Sequence, residues 1–532
     1  MNLTPHTGRR LTALILALCL LLSACADPYA DSEQPEAPAQ SPETASEPAY
    51  PEEGEEEQQE QPFTLGYYES KGLNPYTCNN TTNQSLLRLL YEPLFQQSPS
   101  FETENCLALS CVSDGEGQWT LTLRDGVSFW NGETLNAGDV IASLEQAARS
   151  GSLYADRLAP LGALRQTGEH SLTFTWSEPL GDLTPLLEIP VVQAGTEDGD
   201  MPMGTGPYLP QLDEDGGVEA LTVHPNWWQG KTLPTEKITL YPVSDSDLLI
   251  YGFESGQITL VSTDLTGSNS LGYSGSFEVR DYPTSYLLYL GCNTKNGPCR
   301  EQAFRLAFQS ALDRETIADR LLSGHADPSP LTFHPESPWY DKDLARSFGE
   351  PDASGLEPYA GERVTILVNA ESTFRTAIAD FLAESLEEAG LEAEVSALSW
   401  SAYRAALEAG EYDLYLGVVK LEPNFDPSPF FNLDGSLNFS GFSADEINAS
   451  LAAYLAADGE RRADRAYDLS LAVSQAAPIL PLCFLKHSIL SNWGSLGSYA
   501  ATQSNLFYHI QDWDLGGPAH TGEQETEGRT AQ

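Results

Sequence analysis

The sequence predicts a mixed α/β fold, and three observations carry that reading. Residues 364–419 alternate short apolar strands with amphipathic helices: strand 364–368, helix 374–389 stopped by Gly390, strand 391–398, helix 401–409, strand 412–419. Such a β-α-β-α-β run makes a parallel sheet with helices on its faces, and ligands sit in the loops beyond the strand ends. Residues 118–123 and 171–176 alternate apolar and polar side chains, as half-buried strands do. After an apolar strand at 286–290, residues 300–322 carry Phe304, Ala307, Phe308, Ala311 and Leu312 at helical spacing.

The chain opens with Arg9-Arg10 and an apolar run over 11–22, ending in Leu22-Ser23-Ala24-Cys25. A basic start, a short apolar stretch and small residues predict an export signal, too short for a permanent span. Residues 26–62 contain no Lys or Arg and almost no large apolar side chain. A segment of that composition buries too little surface to offset its ordering entropy, which predicts a disordered, extended acidic tether. The folded body is expected over 63–518, long enough for two or three domains, with a disordered tail at 519–532.

Within the body, Arg124-Asp125-Gly126 reads as a turn in which glycine supplies a positive φ. Asn136-Ala137-Gly138-Asp139 opens a helix through Ala147, with Asp139 near its positive end. Gly204-Thr205-Gly206-Pro207 lacks the Lys-Ser/Thr of a phosphate loop and reads as a packed turn.

The formal net charge is −50, from 27 basic and 77 acidic residues, which argues against nucleic acid or an anionic membrane surface as partner. Outside the signal and Cys25 there are six cysteines: 78, 106, 111, 292, 299 and 483. In an exported chain these permit disulfides, with Cys292–Cys299 the best local pair, Cys106–Cys111 the second, and buried free thiols the alternative. No close C-x-x-C pair, G-x-S-x-G elbow or H-E-x-x-H helix occurs, so neither a structural zinc, a cofactor nor a common hydrolase centre is expected.

Leu22-Ser23-Ala24-Cys25 resembles the lipobox of bacterial lipoproteins, which implies cleavage after residue 24 and a lipid anchor on Cys25 at the outer face of the cell membrane. Five further blocks, in order, resemble the extracellular solute-binding proteins of the peptide/nickel type that serve ABC importers. They are Asn74-Pro75-Tyr76 with Leu90-Tyr91-Glu92-Pro93-Leu94; residues 119–129 with Asn131-Gly132-Glu133 and Ala137-Gly138-Asp139-Val140; and Gly204–Tyr208 with Asn226-Trp227-Trp228-Gln229-Gly230. The fourth runs from Arg305 through Leu312-Asp313-Arg314-Glu315 to Gly324 and Ala326, and the fifth joins Tyr412-Asp413-Leu414 to Asp426-Pro427.

The resemblance implies a two-lobed periplasmic-binding-protein-like fold (type II, with an inserted subdomain). Lobe I is expected over 63–283, with the insertion at about 76–190, and lobe II over 284–484. Residues 485–518 return to lobe I, and the hinge strands fall near 286–293 and 482–487. Closure of the lobes over a ligand, and docking of a monomer on a membrane permease, are the implied activity.

The ligand groups it implies are Tyr76, Tyr286, Asn293, Gly417, Val418, Val419, Glu422 and Arg375. In relatives that bind dipeptides an aspartate beyond the strand matching 412–419 holds the peptide amine; here Glu422 or Pro423 falls there, and Asp426 reads as structural. Their carboxylate clamp falls at Asn369-Ala370-Glu371-Ser372, with Arg375 a few residues late. A short peptide held by both termini is therefore not expected, and the implied cargo is an oligopeptide, for which holding through backbone bonds as an added strand stays open. Tyr76, Trp130, Tyr286, Trp339, Tyr340 and Trp400 are candidate cleft walls. A nickel or other metal chelate is the competing cargo, with His325 and His334 as its ligands. A non-transport sensor or adhesion lipoprotein, or a surface hydrolase, is the alternative of another class.

Overall fold

A computed structural model describes residues 62–267 and 272–516. The signal, Cys25, the tether and the tail lie outside the described residues.

The expected β-α-β-α-β run is present: strands Arg363–Asn369, Glu392–Leu398 and Leu414–Lys420, with helices Thr373–Glu388 and Trp400–Ala409 between them. The three strands are parallel, with Arg363–Asn369 in the middle. They form one side of a seven-stranded sheet that continues through Glu278–Cys292, Ile479–Ser491 and Leu260–Thr263; Ala326–Pro328 pairs with Ile479–Ser491 off that path. Apolar clusters cover both faces: one is centred on Phe304, Ile366 and Leu482, the other on Leu367, Tyr415 and Phe484.

A two-stranded sheet, Phe95–Gln97 with Thr103–Asn105, and two four-stranded sheets complete the strands of the described residues. One pairs Thr64–Tyr67 in parallel with Lys237–Pro242, followed by Val218–Val223 and Tyr208–Leu212. The other is antiparallel, in the order Ala108–Ser113, Gln118–Leu123, Ser171–Trp176, Leu161–Gly168. The alternation of Gln118–Leu123 directs Trp119, Leu121 and Leu123 inward. Beside this sheet lies the helix Ala137–Ala147, opened by a reciprocal cap in which the Asn136 side chain accepts from Gly138 N (2.7 Å) and Asp139 accepts from Asn136 N (2.9 Å). Gly126 has φ +76, as the turn requires. At Gly204 an added Cβ would come within 2.2 Å of the Leu90 main-chain oxygen, and at Gly206 within 2.5 Å of main-chain atoms of Leu89 and Leu90, so the packed turn depends on both glycines.

Two expectations change. The helix over 300–322 is broken: Gln302–Ala311 ends at an extended Leu312, and Asp313 starts a new turn by accepting from Thr316 N (2.9 Å). A wider, π-type turn at Ile317–Leu321 follows. The Cys292–Cys299 and Cys106–Cys111 disulfides are absent, since all six thiols are free. Cys292 and Cys299 are buried neighbours packed as small apolar groups, and burial pushes the Cys299 thiol well up, away from the reactive thiolate. Cys106 sits in the core, whereas Cys111 lies mid-strand opposite Leu121 and only partly buried.

Candidate functional site

The site is organised by the two longest strands. The first half of Glu278–Cys292 pairs with Lys486–Ser491, and its second half with Ile479–Phe484; the register slips between Pro283 and Leu287. Side chains stitch the slip: Thr284 donates to Leu485 O (2.5 Å), Ser285 donates to Leu421 O (2.7 Å), and Ser285 N donates to Gln503 (2.9 Å). Tyr286 follows directly and stands opposite Lys420 in the neighbouring strand.

Tyr286 stacks on His487, ring centroids 5.3 Å apart, and the Lys420 ammonium lies 5.8 Å from the Tyr286 ring centre. Tyr282 meets His487 edge-on at 5.9 Å. Asp264, one residue past Leu260–Thr263, acts electrostatically on Tyr282, Tyr286, His487 and Arg375. Arg375 sits in the first turn of Thr373–Glu388. The chain thus brings residues 264, 286, 375, 420 and 487 together from five elements.

Asp264, Tyr286, Arg375 and His487 are half-buried, whereas Lys420 is exposed along its length with only its ammonium end crowded by protein. Desolvation is accordingly the first cause that lowers the pKa of His487, Lys420 and Arg375; nearby cations lower the first two further, and Asp264 opposes the shift at His487. A second feature is a strand edge. Arg363–Asn369 pairs with Leu414–Lys420 only at Leu414 and Tyr415, so among the described residues the 416–420 edge facing away from Glu278–Cys292 has no strand partner. Of its carbonyls, Leu416 O is taken by the Tyr403 hydroxyl (2.9 Å).

Residues between 97 and 181 reach the segments that follow the Leu414–Lys420 strand. Arg157 pairs with Glu422 (2.7 Å) and Gln97 donates to Pro423 O (2.8 Å). Gly181 N donates to Leu455 O (2.8 Å), and Phe101 is buried among Phe425, His334 and Phe333.

Of the predicted ligand groups, Tyr286, Arg375, Val418 and Val419 are half-buried around the cluster, and Glu422 is exposed at its rim. Tyr76 requires correction: it is wholly buried, its hydroxyl donating to Pro190 O (3.0 Å) and its ring packing on Tyr154. Asn293 is also structural, with its amide donating to Gly410 O and Tyr412 O and its oxygen accepting from Lys295 N. Gly417 is buried and pressed against Tyr289, where a Cβ would lie 2.7 Å from the ring, so its role there is packing.

His334 is no open-site ligand. It is buried between Phe101 and Phe484, accepts from Glu336 N (3.0 Å), and burial holds its pKa down at about 3. His325 is engaged with Asp281 (2.9 Å), which also accepts from Ser488. Trp130 packs on Tyr91, Trp339 on Arg462 and Phe425, and Tyr340 is half-buried; the exposed Trp400 stacks on Tyr403.

Lys420, His487 and Asp264 were missed by sequence reasoning. Lys420 opens the loop that the resemblance singled out and His487 ends an expected hinge strand, but nothing in spacing or periodicity marks Asp264.

The model for bacterial extracellular solute-binding proteins, family 5 (Middle), matches residues 102–441. The glutathione-binding protein GsiB of Salmonella typhi is 22% identical over 459 residues, covering 77% of this chain and 86% of that one. Among solved structures, a putative peptide binding protein AppA from Clostridium difficile is similar with TM-score 0.68 and 15% identity, over 86% of this chain and 100% of that one. NikA from Brucella suis in complex with Fe(III)-EDTA is similar with TM-score 0.64 and 17% identity, over 85% and 99%. These likenesses show a two-lobed α/β fold.

Proposed function

The chain belongs to family 5 of the bacterial extracellular solute-binding proteins, and on that premise we propose that it captures oligopeptides between its lobes for an ABC importer. The observation that carries this reading is the unpartnered 416–420 edge beside the Tyr286–His487 stack. A strand edge offers alternating N–H and C=O groups to an extended peptide, whatever its side chains. The stack supplies a flat apolar wall, and Asp264 and Lys420 supply opposite charges for a zwitterion.

Lobe I is taken as 63–283 plus 485–518, with the insertion at about 76–190, and lobe II as 284–484; the slip at Pro283–Leu287 is the natural flexing point. The contacts of Arg157, Gln97, Gly181 and Phe101 then belong to a closed state. Lipidation of Cys25 would keep the capture module beside its permease. Among the described residues no helix is long and apolar enough to cross a membrane. Metal-chelate cargo draws no support from His325 and His334, both of which are engaged elsewhere.

Native mass spectrometry of the folded protein as purified, followed by thermal-shift screening, tests the reading. Oligopeptides are expected to copurify and to raise Tm, since a ligand at 100 times its Kd adds about 2.7 kcal/mol. Stabilisation by metal chelates or sugars alone would sink it.

A further inference from the structure

Arg462 is a buried cation well outside the Tyr286–His487 cluster, with its side chain only 3% exposed. It lies in the first turn of the helix Gly459–Ala476, where the positive end of the macrodipole disfavours a cation. Two rings hold its guanidinium, Trp339 and Tyr454, each centred 4.8 Å from the guanidinium carbon. Nη2 donates to Asn424 O (3.0 Å) and to the Tyr454 hydroxyl (3.3 Å). Nε and Nη1 are buried with no hydrogen-bond partner among the described residues. The one carboxylate in ion-pair reach among those residues is Asp182, with Oδ2 3.8 Å from Nη1.

Asp182 comes from a distant part of the chain and is held ready. Its Oδ1 accepts from the amide (2.9 Å) and the hydroxyl (2.7 Å) of Thr184, which leaves Oδ2 for the guanidinium. Beside it, Gly181 N donates to Leu455 O (2.8 Å). A Cβ at Gly181 would lie 2.3 Å from the main chain of Ala457, so only glycine allows so close an approach. Residues 181 and 182 thus press on the turn between the helices Asp445–Leu455 and Gly459–Ala476. The ion pair itself is longer than a charge-assisted hydrogen bond, and an approach of about 1 Å would complete it.

We propose that Asp182 and Arg462 form an interlobe latch. The two rings keep the guanidinium in place on the second lobe, and the Gly181–Asp182 segment of the first lobe carries the carboxylate to it as the lobes close. This rests on the two-lobe capture reading above. When the lobes part, Nε and Nη1 gain water and the carboxylate is lost, so the pair favours the closed state alone. Neither residue touches the Tyr286–His487 cluster, so the latch sets how long cargo is held and not which cargo is chosen.

The test uses the folded protein with three variants. Asp182→Asn keeps Oδ1 as the acceptor for Thr184 and removes only the charge, Arg462→Met removes the guanidinium, and the third variant combines them. Each is loaded with a pool of random pentapeptides and diluted, and release is followed by native mass spectrometry. Hydrogen–deuterium exchange at the Gly181 amide, with and without the pool, reports the contact itself. Asp182→Asn is expected to release the pool roughly tenfold faster at an unchanged association rate. That is less than a fully buried pair would give, because the Asp182 side chain is 32% exposed. The combined variant should release no faster than Arg462→Met alone, since the two residues act as one unit. In the parent, bound peptide should slow exchange at Gly181, and Asp182→Asn should lessen that protection.

Release from Asp182→Asn at the parent rate, or additive effects of the two substitutions, overturns the latch and leaves the peptide reading standing. Exchange at Gly181 that peptide leaves unchanged marks a fixed joint and overturns it as well. If Arg462→Met does not fold, Asp182→Asn and the Gly181 exchange decide. Retention of no pentapeptide by any form defeats the peptide reading. The latch is then decided on the unliganded protein, where Asp182→Asn is expected to speed exchange at Gly181 and an unchanged rate overturns it.

Discussion

Phe101→Ala is expected to weaken peptide binding by about two orders of magnitude while leaving every group at the Tyr286–Lys420 cluster in place. Phe101 belongs to the proposed first lobe, yet its ring is 3% exposed inside the aromatic core of the second. It meets Phe425 edge-on at 5.2 Å and His334 at 4.6 Å. The turn that presents it is fixed by Phe101 N donating to Ser98 O (2.9 Å) and Glu102 N donating to the Ser98 hydroxyl (3.2 Å). Both Phe101 and Phe425 have positive φ, +59 and +53, a conformation unfavourable for bulky side chains by about 1–2 kcal/mol each. That strain persists only where the packing between the two rings offsets it.

Truncating a buried phenylalanine costs about 3–5 kcal/mol. If the contact exists only in the closed state, the loss falls on the closing equilibrium, and affinity falls with the closed population. Phe101→Leu keeps most of the volume and should cost under about 1.5 kcal/mol. Calorimetric titration with the copurified peptide, alongside small-angle scattering of the free protein, distinguishes the cases. A lowered Tm with unchanged affinity would make Phe101 a fixed joint and remove it from the closing motion.

How far the sequence discloses this protein depends on what each element is made of. The parallel run was legible within about two residues at each end, since Val364, Ile366, Leu414 and Leu416 are apolar where their strands are buried on both faces. The long strand was legible only over its apolar half. Residues 278–281 are Glu, Val, Arg and Asp, and they are strand because Lys486–Ser491 lies beside them, a partner some 200 positions away. The break at Asp313 was hidden by an apolar helical pattern that runs on through Leu312 and Ile317; the cap and the Asp313–Thr316 bond override it. In the site, Tyr286 and Arg375 could be reached through family resemblance. Lys420, His487 and Asp264 are single polar residues with no local pattern, and only the sheet order makes them neighbours. Tyr76 and Asn293 misled for the converse reason, because polar atoms on buried residues look like ligand groups until their internal partners are seen.

Glu92 shows the same blindness with a larger consequence, for a carboxylate in a sequence reads as surface and this one is 6% exposed. It joins two blocks, the first and the third, that the sequence only spelled out one after another. The Trp227 indole donates to Oε1 (3.1 Å), the Trp228 indole to Oε2 (2.8 Å) and the Thr205 hydroxyl to Oε2 (3.0 Å). Glu92→Leu leaves those donors without an acceptor and is expected to cost about 3–5 kcal/mol of folding free energy. Burial raises the Glu92 pKa from 4.5 to about 7, even though each donated bond pulls it down. The folded state therefore binds this proton more tightly than the unfolded chain does. The stability it contributes is full below about pH 4.5, is lost as pH rises towards 7, and changes no further above; the total is about 3 kcal/mol. Glu92→Gln stays neutral throughout, so the stability difference between it and the parent should move in favour of Gln across that window. Urea unfolding of both at intervals from pH 4.5 to 8 reads the difference directly, because other titrating groups cancel between them. Parallel curves would mean that the three donors hold Glu92 ionised in the fold, and that its burial is offset by hydrogen bonds rather than by a proton.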